Sequence, residues 1–126
     1  MKWLNRTLWS CTHHIGLCVD PKSFERELKR MKVPRDTWPP YVPEGANACT
    51  HFFTTNHGDR AAIVCNDPQE GKTGIQTAAL LVHEAVHIWQ EHLDDTGEKE
   101  PGSESEAYAV QHISQTLMEA YAELRV

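Results

Sequence analysis

From Gly74 to Leu93 the chain carries no proline, and apolar side chains recur at helical spacing: Ile75, Ala78, Ala79, Val82, Val86, Trp89 and Leu93. A stripe of that length predicts one long helix with a face against other structure. Asp94 to Gly102 is charged, contains two glycines and Pro101, and ends it. A second stripe, Ala109, Val110, Ile113, Leu117, Ala120, Tyr121 and Leu124, predicts a last helix over 103–124.

Two helices need a further layer to bury those stripes. Cys49 to Thr55 and Arg60 to Asn66 are rich in β-branched and aromatic residues, and Asn56-His57-Gly58-Asp59 between them has turn chemistry, so a β-hairpin is expected. Leu8 to Val19 offers a further strand. Asp20 before Pro21 is an N-cap signal for a helix running to about Lys32. Phe24, Leu28 and Met31 fall on one side of that helix. Arg26, Lys29 and Arg30 fall on another, salted with Glu25 and Glu27, which reads as a solvated face rather than an anionic docking face. Three prolines in Trp38 to Pro43 make that segment a surface loop. The fold class is α+β, with a short mixed or antiparallel sheet, and 126 residues bound it to one domain, 1–126.

Eighteen acidic against twelve basic residues give a net charge of −6, which argues against a general nucleic-acid binder. No apolar run is long enough to span a bilayer, and no secretory signal is read at the N-terminus. The expected setting is therefore cytoplasmic, with Cys11, Cys18, Cys49 and Cys65 as packed thiols rather than disulfides or a C-x-x-C motif.

The long helix contains His83-Glu84-Ala85-Val86-His87, the pattern H-E-x-x-H. At 100° per residue the two imidazoles lie about 40° apart and one turn apart, so both reach one metal ion. Glu84 points roughly 60° further round than His87, too far for a ligand but placed to take a proton from water. Composition alone gives about 0.05 chance occurrences of the pattern, so its mid-helix setting carries part of the case. A catalytic zinc site has three protein ligands and one open position. The third candidate is Glu106, which on a helical wheel falls within about 20° of Ile113 on the apolar stripe, where a carboxylate needs a compensating charge. The competing role for Glu106 is a capping box with Ser103.

His83-Glu84-x-x-His87 followed by a glutamate on the next helix resembles the gluzincin group of zinc metallopeptidases, to which thermolysin belongs. Residues 80–90 and 104–111, with Thr50-His51-Phe52-Phe53 and Ile63-Val64-Cys65, also look like small phage- and prophage-encoded proteins assigned as metallopeptidases. The resemblance implies a zincin-like domain, with an active-site helix and a following glutamate helix. It implies Zn2+ held by His83, His87 and Glu106, with Glu84 as general base. It also implies a peptide or protein substrate, in a phage or prophage setting, while charge and hydropathy lead us to expect no nucleic-acid or membrane partner. One departure is Val110, where larger gluzincins carry a carboxylate that orients a zinc histidine.

The reaction expected of such a site is hydrolysis of a peptide bond. The alternatives are a zinc-binding structural or partner-binding protein, and a hydrolase of other amides. Arg60 to Asn66 is the candidate rim for an extended substrate. Tyr108, Tyr121, His112 and His51 are weighed as oxyanion groups, with packing or exposure the simpler role for each. His13, His14, His57 and His92 are given none.

Overall fold

One strand decides the architecture. β4 (Arg60–Asn66) is buried from Ala61 to Asn66, and a strand buried on both faces must be covered on both. The structure is a computed structural model that describes residues 1–4, 12–55, 57–68 and 71–125. Besides β4 it contains β1 (Lys2–Trp3), β2 (His14–Cys18), β3 (Ala48–Thr54), α1 (Pro21–Arg30), α2 (Gly74–Thr96) and α3 (Ser103–Leu124). A 3₁₀ turn lies at Arg35–Thr37. The sheet is mixed, in the order β1-β2-β4-β3, with β2 parallel to β4 and the other pairs antiparallel. The chain is thus α+β.

Strand alternation sorts the side chains into two cores. Ile15, Leu17, Ala62 and Val64 point to one face, where Leu81, Ala85 and Ile88 of α2 and Ile113, Leu117 and Ala120 of α3 cover them. Cys18, Ile63 and Cys65 point to the other, under Phe24 and Leu28 of α1. Each fully buried Leu or Ile contributes about 1.5–3 kcal/mol by leaving water. Gly16 is required where β1 lies against β2, because a side chain there would strike Met1 and Trp3.

The helices begin and end on local chemistry. Asp20 caps α1 by accepting from Ser23 N at 2.7 Å. That helix stops at Arg30, two residues before the expected Lys32, because Lys32 takes a left-handed φ of 60°. Met31 N and Val33 N then close the final carbonyls of Glu27 and Leu28. Thr73 and Gln76 form a reciprocal capping box on α2, and Gly97, with φ 71°, terminates it. α3 starts at Gly102 with no side-chain cap, so the Ser103–Glu106 capping box, the competing role for Glu106, does not form.

Two expectations are corrected. The buried face of α2 is Thr77, Leu81, Glu84, Ala85, Ile88, Trp89 and His92, whereas Ile75 is 84% exposed and Val82 36%. This helix has apolar residues around most of its circumference, so spacing alone defines more than one stripe. The docking of α3 and the sheet selects among them. Arg60 to Asn66 is not a rim: β4 lies between β2 and β3, and β3 is the edge strand beside α2. The expected hairpin forms, with Thr54 opposite Arg60. β2 lies within the expected 8–19 segment, of which residues 8–11 fall outside the described ones.

Candidate metal centre

His83 and His87 lie one turn apart on the exposed side of α2, and their Nε2 atoms are 3.1 Å apart. Two nitrogens bound tetrahedrally to one zinc at about 2.0–2.1 Å lie about 3.3 Å from each other. The pair is therefore within a few tenths of an ångström of a chelating geometry. His87 is also held from behind: its Nδ1 lies 3.2 Å from Gln90 Oε1. An amide oxygen only accepts, so the contact suits the tautomer in which Nδ1 carries the proton and the Nε2 lone pair is free.

Glu84 turns the other way, into the angle between α2 and β3. It is 4% exposed, and its Oε1 accepts from Thr50 Oγ1 at 3.0 Å. A carboxylate buried to that degree needs such a donor. Thr50 and Phe52 point from β3 toward α2 because strand residues two apart share a face. Between β3 and α2 lies a groove of about 410 Å³, lined by Thr50 and Phe52 on one wall and by His83, Glu84, His87, Gln90, Glu91 and Asp94 on the other. Three carboxylates in one groove favour a cation there.

The third expected ligand is not brought to this groove. Glu106 is exposed in the first turn of α3, and its Oε2 accepts from Trp89 Nε1 at 2.8 Å. Trp89 lies about 200° round α2 from His87, on the opposite flank. The face of α3 that meets the core begins at Ala109, one turn beyond Glu106. The wheel puts Glu106 on the right stripe, but the helix is not yet packed at that level, so the carboxylate meets an indole. Among the described residues no three His, Cys, Asp or Glu side chains come together as a metal-binding group.

The other titratable groups have structural work. His51, stacked on Phe24 at 5.3 Å and 3.0 Å from Tyr41 O, lies on the α1 side of the sheet. Tyr108 is 64% exposed, and Tyr121 packs beside the α2–α3 core. Neither these nor His112 line the groove. Among the described residues Cys18, Cys49 and Cys65 are free thiols. Burial pushes Cys18 up to about 12 and Cys65 further, so both pack as inert small apolar groups. Cys11 lies outside the described residues.

Sequence reasoning missed Thr50 and Gln90. Gln90 was legible in principle, three residues past His87 and so its neighbour on the helix surface. Thr50 was not, because nothing in the chain says where α2 crosses β3. Comparison with protein-family models, with curated proteins and with solved structures returns no match.

Proposed function

We propose that this chain is a zinc-dependent hydrolase of peptide bonds, of the zincin-like kind that H-E-x-x-H resembles. The observation that carries the reading is one groove in which the Nε2 atoms of His83 and His87 stand 3.1 Å apart beside the buried carboxylate of Glu84. The donor set suits zinc: two imidazoles one turn apart, one of them with Gln90 Oε1 3.2 Å from its far nitrogen. His83 and His87 would hold the ion. Zinc supplies Lewis acidity, which polarises a carbonyl and brings the pKa of water toward neutrality.

The chain's own residues supply the rest. Thr50 occupies Oε1 of Glu84, which leaves Oε2 to accept the proton of the attacking water and return it to the leaving amine. The outer edge of β3 offers backbone groups to an extended peptide lying along the groove. Glu106 enters such a site only by giving up its bond to Trp89, so the reading rests on His83, His87 and Glu84. A reducing, cytoplasmic setting fits Cys49 and Cys65, which stand directly opposite in register and unlinked. No described helix is long and apolar enough to cross a membrane.

The test pairs elemental analysis with a peptide-library digest. Glu84→Gln should keep zinc at the wild-type ratio and lose cleavage by about 10²–10⁴-fold. Zinc absent from the wild type, or cleavage surviving in Glu84→Gln, rejects the proposal. A second reading, zinc binding without hydrolysis, is favoured by the absence of a third ligand at the pair among the described residues. Zinc bound with no peptide cleaved selects it.

A further inference from the structure

Half of the basic residues of this acidic chain lie in fourteen positions: Lys22, Arg26, Lys29, Arg30, Lys32 and Arg35. All six are exposed. Only Glu25 and Glu27 accompany them within that span, and Glu27 is taken by Arg30 and by Trp3 Nε1. The remaining four cations, Lys22, Arg26, Lys29 and Arg35, line a groove of about 330 Å³ with Trp38 and a single carboxylate, Glu25. None of the four is in an ion pair among the described residues. A solvated helix face would intersperse both signs along its length. Here Lys22, Arg26 and Lys29 follow the i, i+4, i+7 row, about 10 Å of cations on one flank of α1.

The far end of the row is aromatic. Trp38 is locked by donation from Nε1 to Val33 O at 2.9 Å, and the Arg35 guanidinium lies over its ring, 5.1 Å from the centroid. An exposed guanidinium paired with an indole offers a cationic and aromatic platform on which a base stacks. We propose that this face is a docking surface for single-stranded nucleic acid, with Lys22, Arg26 and Lys29 along the phosphates and the Arg35–Trp38 stack beneath a base. A net charge of −6 does not oppose this, because the charges are segregated. An anionic membrane is a poorer occupant, since the exposed large apolar side chains among the described residues are Phe52, Ile75, Val82 and Tyr108, none of them on α1. An acidic protein segment would use the charges but has no need of the aromatic platform at Trp38. The surface lies across the sheet from the His83–His87 groove, so it stands or falls independently of the hydrolase reading.

The test is fluorescence anisotropy of a labelled thymidine dodecamer against salt. Three phosphate contacts give a slope of log K against log salt of about −2. Lys22→Gln/Lys29→Gln should bring it to about −0.7. Arg35→Lys should weaken binding several-fold at unchanged slope, because the charge stays and the platform goes. His83→Ala should bind as the wild type does. Absence of binding at low salt, a slope unmoved by the double substitution, or loss of binding in His83→Ala overturns the proposal. So does a glutamate oligomer that competes as well as the oligonucleotide, which would assign the face to an acidic protein segment.

Discussion

Thr50 Oγ1 donates to Glu84 Oε1 at 3.0 Å, and this single bond ties the edge strand β3 to the acid inside H-E-x-x-H. It explains how a helix can bury a glutamate at 4% exposure between two exposed histidines. The same bond fixes the carboxylate plane, so one oxygen is committed and the other is left to the groove.

Thr50→Val keeps the shape and removes the donor. The buried carboxylate then lacks a partner, which costs about 1–3 kcal/mol. Urea unfolding should show that loss in Thr50→Val and most of it restored in Thr50→Ser. A Thr50→Val midpoint equal to the wild type would show that water or another group already satisfies Glu84.

On the proposed zinc reading, Gln90, whose Oε1 lies 3.2 Å from His87 Nδ1, is the outer partner of that ring. Substituting an outer partner of a metal histidine lowers affinity about 10–100-fold. Chelator competition should place Gln90→Ala in that range, and Gln90→Glu at or above wild-type zinc affinity. An unchanged affinity in Gln90→Ala would mean that the ring is oriented by its own packing.

The C-terminal half of the chain was readable because each helix is bounded by strong local signals. Gly97 and Gly102 flank the break, and the α3 stripe Ala109, Ile113, Leu117 and Ala120 is buried as its spacing predicts. The β-hairpin was readable for the same reason. What spacing does not encode is rotation of an element about its own axis when more than one side is apolar. Hence Ile75 and Val82 are exposed while Thr77, Glu84 and His92 are buried. The His83–His87 pair needed only one helix and was legible. Its completion needed the relation of α2 to β3 and α3, which is tertiary: Glu106 lies against Trp89 rather than in the groove, and Thr50 was overlooked.

The Glu106–Trp89 bond links the first turn of α3 to the C-terminal half of α2, which gives Glu106→Gln a defined signature. The neutral amide still accepts from the indole, so thermal stability should change by less than about 1 kcal/mol. Zinc affinity should match the wild type, whereas His83→Ala and His87→Ala should each lose the metal. Loss of zinc in Glu106→Gln would show instead that the carboxylate crosses to the histidines when the ion binds.

Acidification should weaken the fold well above the carboxylate range, through His13. Its ring is 3% exposed, edge-on to Phe52 at 5.4 Å, with Nδ1 2.9 Å from Thr12 Oγ1 and 3.5 Å from Asp95 Oδ2. Burial holds its pKa below the usual imidazole value, against the partial opposition of Asp95 and Glu91 and with Arg60 and His92 assisting. A histidine whose folded pKa is depressed binds its proton more readily when unfolded. Its contribution to stability is therefore present above about pH 6.5 and declines as pH falls below that value, with a slope of at most about 1.4 kcal/mol per pH unit. His92, also lowered by burial, adds to the same slope. Asp95, held below the usual carboxylate range chiefly by Arg60, contributes stability that disappears only at lower pH. Urea midpoints should thus drop between pH 7.5 and 5.5, and His13→Asn should flatten that drop. A midpoint independent of pH over this interval would mean that folding leaves the proton affinity of His13 unchanged, and one that rises on acidification would mean that His13 is protonated in the fold and paired with Asp95.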